Sequence, residues 1–88
     1  MIRKVLEVKN KEGLRARAAA IFVQTASKFQ SLIIIEKGNK KINAKSIMGV
    51  LSLGVVQGEN IHISADGADE KEALNALQEL VASSSVEG

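Results

Sequence analysis

The chain of 88 residues contains no cysteine and only one histidine, His62. The lack of cysteine excludes disulfides and thiolate metal ligands, so a transition-metal site would depend almost wholly on carboxylates. The sequence therefore argues against a metalloenzyme, and we predict neither a metal site nor a cofactor.

Long apolar runs and aromatic side chains are also scarce. No apolar segment approaches the roughly 20 residues needed to cross a bilayer. The first residues, Met1 to Val5, lack the apolar core of a signal peptide. We therefore expect a soluble cytoplasmic protein without a membrane partner. Because aromatic residues make up only 2% of the chain, almost nothing is available to stack on bases, and we expect no direct nucleic acid binding.

The charges are nearly balanced in number but unevenly distributed. The 12 basic and 10 acidic side chains give a net charge of +2. All basic residues except Lys71 precede residue 46, whereas most acidic residues follow residue 65. This asymmetry allows an anionic partner at one face of the protein.

Hydrophobic periodicity predicts a strand, a helix, two strands, a helix, a strand and a final helix. Asp69 followed by Glu72 resembles a capping box at the start of the last helix. The first half of the chain is predicted to contain a strand from Ile2 to near Lys9, a helix at 16–28 and a strand at 31–37. A Gly38-Asn39 hairpin turn joins this strand to the next one, which begins at Lys40. A helix at 47–53, which ends at Gly54, a strand at 60–65 and a helix after Asp69 complete the prediction.

The strands alternate between apolar and polar residues, which predicts a sheet with one solvated face and one face under helices. The expected fold is an open-faced α+β sandwich in a single domain spanning residues 1–88, with a frayed tail from about residue 83. His62 should lie on the solvated face of its strand.

Ser46 precedes the short apolar helix and has two interpretations. It can be a neutral N-cap, with Ile47, Met48 and Leu51 simply in the core. It can also carry phosphate, because unpaired amides and the helix dipole favour negative charge at a helix N-terminus.

A second candidate site lies where a turn meets the first helix. Free amides at Ala16 to Ala18, together with the guanidinium groups of Arg15 and Arg17, would form a corner that binds an oxyanion. In the alternative interpretation, the two arginines are solvated surface charges beside a helix start.

The combined motifs resemble the family of histidine-containing phosphocarrier proteins (HPr) of the bacterial sugar phosphotransferase system. The resemblance covers residues 2 to about 82 and implies a four-stranded antiparallel sheet with three helices on one face, in the order βαββαβα. It is carried by Gly13-Leu14, Ala16-Arg17, Phe22-Val23, residues 24–29, residues 43–50, Ser52-Leu53-Gly54, Gly58 and residues 64–70.

The sequence departs from this family at the position of the phosphoacceptor. In the family, a histidine after the Gly-Leu or Gly-Ile pair takes phosphate from enzyme I, but this chain has Arg15 there. Arginine stays protonated and has no lone pair with which to attack phosphorus. Ala18 also replaces the proline that usually follows the family arginine. The resemblance therefore implies that histidine phosphotransfer is lost, and His62, in the middle of a strand, is not expected to replace it.

Within the family, the chain is most similar to the histidine-lacking catabolite-repression HPr-like (Crh) branch. That branch usually has glutamine where this chain has Arg15. The resemblance implies phosphorylation of Ser46 by HPr kinase/phosphorylase and binding of the phosphorylated form to catabolite control protein A. The implied contacts are the phosphate, an apolar patch of Ile47, Met48 and Leu51, and Arg17. We therefore predict a regulatory phosphoprotein rather than an enzyme.

The sequence leaves two other functions open. The chain can be a phosphocarrier, or an engineered or drifted variant of one, that relays phosphate from enzyme I to sugar permeases. It can also be an anion-sensing module that holds a phosphorylated metabolite at Arg15, Ala16, Arg17 and Ala18.

Overall fold

The computed structural model describes residues 1–82, and the predicted frayed tail from about residue 83 lies outside them. The elements follow the predicted order βαββαβα. They are β1 (Ile2–Glu7), α1 (Ala16–Ser27), β2 (Leu32–Lys37), β3 (Lys40–Asn43), α2 (Ile47–Leu53), β4 (Asn60–Asp66) and α3 (Glu70–Ala82).

The four strands form one antiparallel sheet in the order β1-β4-β2-β3. Alternate residues of each strand point to the same face of a sheet. On one face, Ile33 and Ile35 of β2 pair with Ala65 and Ile63 of β4, and all four are buried. On the other face Val5 is 59% exposed. The predicted open-faced α+β sandwich is thereby confirmed.

The helices close the buried face of the sheet with apolar side chains. Fully buried side chains come from all three helices and include Phe22 of α1, Val50 of α2 and Leu77 of α3. Burial of such side chains is the main stabilising contribution, at about 1.5–3 kcal/mol each. Among residues 1–82, no helix is long and apolar enough to cross a membrane.

The ends of the elements differ from the prediction by one or two residues. Strand β1 ends at Glu7 instead of Lys9, because the Lys9 N–H turns towards α3 and donates to the Val81 carbonyl oxygen at 2.8 Å. Gly54 ends α2 as predicted, in the left-handed conformation with φ +60°.

The predicted capping box at Asp69 and Glu72 is wrong. The Asp69 carboxylate instead accepts hydrogen bonds from the Gln30 N–H at 2.8 Å and the Ser31 N–H at 2.9 Å, across the molecule. At the start of α3, Glu70 accepts from the Gly67 N–H at 3.0 Å.

Candidate functional site

The loop before α1 is held against the segment that follows α2. Gly13 has φ +65°, and a Cβ at this position would overlap the carbonyl oxygen of Val55. The Leu14 N–H donates to the same Val55 oxygen at 3.0 Å. Inside the loop, Asn10 Nδ2 donates to the Gly13 carbonyl oxygen at 2.6 Å. These contacts fix the start of α1 beside the C-terminal end of α2.

The start of α1 has the unpaired amides that the sequence predicts. The first hydrogen bond of the helix runs from the Ala19 N–H to the Arg15 carbonyl oxygen, at 3.3 Å. Within residues 1–82, the N–H groups of Ala16, Arg17 and Ala18 have no acceptor. Ala16 has φ +49°, in the left-handed region that favours glycine. We call residues 13–18 the α1 corner.

The arginines of the α1 corner lie on the surface. Arg15 is the N-cap residue in an extended conformation, and its Nε donates to the Glu12 carbonyl oxygen at 3.2 Å. Arg15, Ala16 and Arg17 are exposed, whereas Ala18 is buried. Two arginine residues and three free amides are thus brought to one corner, which suits an oxyanion more than a cation.

Ser46 is exposed and caps α2. Its Oγ accepts a hydrogen bond from the Gly49 N–H at 3.2 Å, and its carbonyl oxygen accepts from the Val50 N–H at 2.9 Å. A Cβ on Gly49 would overlap the Ile42 side chain, so glycine lets this helix approach β3 closely. The hydroxyl is therefore held at the first turn of a tightly packed helix while remaining accessible.

Lys45 does not point freely into solvent beside Ser46. Its side chain is half-buried, and its Nζ donates to the Phe29 carbonyl oxygen at 2.6 Å, just beyond the end of α1. The Lys45 N–H donates to Asn43 Oδ1 at 2.9 Å. This lysine thus connects the start of α2 to the end of α1.

The two candidate sites lie at opposite ends of a pair of helices. The α1 corner contacts the segment after α2, and the end of α1 contacts Lys45 before α2, so the two helices run antiparallel. At 1.5 Å per residue, α2 is about 10 Å long. The structure therefore separates Arg17 from Ser46 by roughly the length of this helix, and no hydrogen bond joins them within residues 1–82.

Exposed apolar side chains occupy the surface between these two ends. Ile47 is 39% exposed, Met48 74% and Leu51 40%, whereas Val50 and Leu53 of the same helix are buried. The interpretation that places Ile47, Met48 and Leu51 in the core is wrong, because α2 turns its other face to the core. We call these three residues the α2 patch.

An ion pair that the sequence pattern does not indicate holds the C-terminal end of α2. Lys37 Nζ donates to the carbonyl oxygens of Leu53 and Gly54, both at 3.1 Å, and lies 3.0 Å from Glu59 Oε1. Glu59 also accepts from the Val56 N–H at 2.8 Å. The Val56 N–H, and then Lys37, lower the pKa of Glu59. No local sequence signal connects residues so far apart in the chain.

His62 lies on the open face of the sheet, away from the α1 corner, as predicted. It is half-buried, and its Nδ1 is 2.7 Å from Arg3 Nη2, which also lies 3.4 Å from Glu36 Oε2. Within residues 1–82, no three metal-ligating side chains come together.

Comparison with known proteins decides the family. A family described as "PTS HPr component phosphorylation site" matches residues 2–83. The chain belongs to the HPr family. The HPr-like protein Crh of Halalkalibacterium halodurans is 54% identical over 77 residues, which cover 88% of this chain and 92% of that protein. Phosphocarrier protein HPr of Neisseria meningitidis is 44% identical over 81 residues, covering 92% of this chain and 91% of that protein.

The fold agrees with that of solved HPr structures. The structure titled HPr-C-His from Thermoanaerobacter tengcongensis has a TM-score of 0.93 and is 58% identical, covering 100% of this chain and 99% of that chain. This HPr-family chain is therefore an HPr-like protein of the group that includes phosphotransferase-system phosphocarriers and the catabolite-repression protein Crh.

Proposed function

We propose that this HPr-like protein is a cytoplasmic regulatory phosphoprotein of carbon catabolite control, switched at Ser46. The observation that carries the proposal is the exposed Ser46 hydroxyl, held at the start of α2 next to the exposed α2 patch. Phosphorylation of that hydroxyl would change the charge at the border of the α2 patch without local unfolding.

The chemistry of the step favours this position. The Ser46 oxygen attacks the γ-phosphorus of ATP, ADP leaves, and the hydroxyl proton is lost to the kinase. The product carries about −1.5 to −2 charges at a helix N-terminus, where the free amides and the helix dipole stabilise them. HPr kinase/phosphorylase is the kinase that the family resemblance implies.

The recognition surface would be the phosphoserine, the α2 patch and Arg17. Because Arg17 and Ser46 lie at opposite ends of α2, these groups suit a protein partner rather than one small ligand. A small apolar area bordered by charge is typical of a transient, regulated interface. Catabolite control protein A is the partner we propose.

Phosphorylation can be tested with HPr kinase/phosphorylase, ATP and peptide mapping by mass spectrometry. We expect one phosphoryl group on Ser46, none on the Ser46→Ala variant, and normal labelling of Ser52→Ala, which removes another exposed hydroxyl from the same helix. Absence of labelling, or labelling at another residue, would contradict the proposal.

The contribution of the α2 patch can be tested with Met48→Ala. This side chain is 74% exposed, so its truncation should leave stability unchanged while weakening the binding of the phosphorylated protein to catabolite control protein A by roughly tenfold. Leu32→Ala is the matched control, because Leu32 is 55% exposed on the other side of the molecule. Equal effects of the two substitutions would argue against the patch.

The phosphocarrier alternative draws support from the identity to phosphocarrier HPr proteins but lacks a nucleophile at the α1 corner. With enzyme I and phosphoenolpyruvate, we expect no labelling of the unmodified chain. Arg15→His combined with Ala18→Pro should restore it, because a neutral imidazole can attack phosphorus. Labelling of the unmodified chain would favour the phosphocarrier function.

A further inference from the structure

Strand β1 lies at the edge of the sheet, and within residues 1–82 its one partner strand is β4. In an edge strand, alternate residues direct their backbone N–H and C=O groups away from the sheet, where they can pair with another extended chain. Within residues 1–82, no further strand covers this edge. The edge is therefore available for hydrogen bonding along its length.

Helix α3 runs beside β1 in the same direction. Lys4 Nζ donates to Gln78 Oε1 at 3.0 Å, and the Lys9 N–H donates to the Val81 carbonyl oxygen at 2.8 Å. These contacts fix the spacing between the strand and the helix, so the space between them is a formed feature of the fold.

A groove of about 410 Å³ lies between β1 and α3. This volume is in the range of ligand-binding sites in proteins. The groove is lined by Ile2, Arg3, Lys4, Lys71, Leu74 and Asn75.

The lining of the groove combines apolar surface with positive charge. Three of its six residues are cationic and none is acidic, but the Arg3 guanidinium lies 3.4 Å from Glu36 Oε2 on the open face of the sheet, so the cations of the groove are Lys4 and Lys71. The half-buried Ile2 offers apolar surface in the groove, and the almost fully buried Leu74 packs beneath it. Glu70, at the start of α3, is occupied by the Gly67 N–H and the N-terminal amine, at 3.0 and 3.2 Å. The charge of Lys71 acts on the neighbouring Glu70, but no residue that lines the groove is acidic.

We propose that the groove between β1 and α3 binds an extended peptide segment of another protein that carries carboxylates on both sides of an apolar side chain. The backbone of the segment pairs with the free edge of β1, its apolar side chain contacts Ile2, and its carboxylates meet Lys4 and Lys71. Addition of a strand to a sheet edge beside a helix is an established mode of peptide recognition.

Charge complementarity favours an acidic partner over a second copy of this chain. On the helix-facing side of β1 the exposed charge is Lys4, whereas Arg3 and Glu7 lie on the open face, so pairing two β1 edges would bring a further cation towards the groove. The groove is separate from the α1 corner and the α2 patch, and this inference does not depend on the phosphorylation of Ser46.

The probe is the capped pentapeptide acetyl-Glu-Thr-Val-Thr-Glu-amide, in which valine and both carboxylates share one face of an extended chain. We expect saturable amide shifts in β1 and in the first half of α3 by NMR, with a Kd of roughly millimolar order and weaker binding at high salt. Amides of β1 that face the edge should exchange more slowly when the peptide is bound. The peptide acetyl-Lys-Thr-Val-Thr-Lys-amide should shift them much less.

Lys71→Glu tests the charge of the groove, and Lys41→Glu is the matched control. Both lysines are exposed, but Lys41 lies on β3 at the opposite edge of the sheet. We expect Lys71→Glu to weaken binding of the acidic peptide roughly fivefold and to improve binding of the lysine peptide, with Lys41→Glu unchanged. An NMR spectrum that is unaltered away from position 71 shows that the variant is folded. Lys4→Gln provides a second test of the cationic lining of the groove.

Three results would overturn the proposal. The first is the absence of shifts in β1 and α3 with the acidic peptide, and the second is equal binding of the two peptides. The third is a concentration-dependent shift of the β1 amides in the protein alone, which would identify a second copy of the chain as the occupant.

Discussion

At the scale of single residues, Gly13 meets two demands that other residues cannot meet together. Its φ is +65°, and a Cβ would overlap the carbonyl oxygen of Val55, which is backbone and cannot rotate away. Gly38 has a similar φ of +60° but open space around it. A comparison of alanine substitutions at the two glycines therefore distinguishes the free-energy cost of the left-handed conformation, which both share, from the cost of the steric overlap, which occurs at Gly13.

We predict that Gly13→Ala destabilises the protein by about 3 kcal/mol or more, and Gly38→Ala by about 1 kcal/mol. The first value combines left-handed strain with displacement of the loop from α2, whereas the second contains the strain alone. Urea unfolding of both variants would measure the difference. Similar losses in the two variants would mean that the contact with Val55 relaxes at little cost.

Ala16 is a strained residue at the centre of the α1 corner. With φ +49°, an alanine costs about 1–2 kcal/mol relative to its preferred conformations. We predict that Ala16→Gly stabilises the protein by up to about 1 kcal/mol, since glycine removes the strain but loses more chain entropy on folding. Ala20→Gly, inside the same helix, should instead destabilise by about 1 kcal/mol. A loss of stability in both variants would show that the strain at Ala16 is negligible.

At the scale of secondary structure elements, Lys45 connects two helices with one side chain. Its ammonium group lies at the C-terminal end of α1, where cations are favourable, while its backbone leads into α2. We predict that Lys45→Met lowers the free energy of unfolding by about 1–2 kcal/mol, because a half-buried, charge-assisted hydrogen bond is lost.

Lys40→Met is the control for this prediction. Lys40 Nζ also reaches a backbone oxygen, that of Ser52, but at 3.4 Å and in an exposed position. Its replacement should cost less than about 0.5 kcal/mol. Equal costs for the two variants in urea unfolding would contradict a specific role for Lys45 between α1 and α2.

The elements themselves could be predicted, because their signals are local. Alternation in β4, the Gly38-Asn39 turn and the apolar stripe of α3 each lie within a few consecutive residues. The contacts between elements could not. The hydrogen bonds of the Asp69 carboxylate and the groove between β1 and α3 both bring together residues that lie dozens of positions apart in the chain. Hydrophobic periodicity does not predict such contacts. The candidate sites could be predicted in part. The sequence around Ser46 and the α1 corner forms local motifs, so the residues of both sites could be named. Their separation at opposite ends of α2 depends on how the helices pack and could not be predicted.

At the scale of the whole molecule, carboxylates tie distant segments together and make stability depend on pH. The Ser31 hydroxyl, followed by the Gln30 and Ser31 N–H groups, lowers the pKa of Asp69, and this connects the start of β2 to the start of α3. The Val56 N–H similarly lowers the pKa of Glu59 near the end of α2.

A carboxylate whose pKa is lower in the folded than in the unfolded state binds fewer protons when folded. Its contribution to stability is fully present above the unfolded pKa, near pH 4, and is lost as the pH falls through the lower folded value. We therefore predict that the free energy of unfolding is nearly constant from about pH 7 to pH 5 and decreases below about pH 4.

Asp69→Asn should lower stability at neutral pH and flatten this decrease, whereas Glu72→Gln, at an exposed position in the first turn of α3, should leave the profile unchanged. Urea unfolding across this range measures the profile, and an equally steep decrease in Asp69→Asn would show that the link between Asp69 and Ser31 does not govern acid stability.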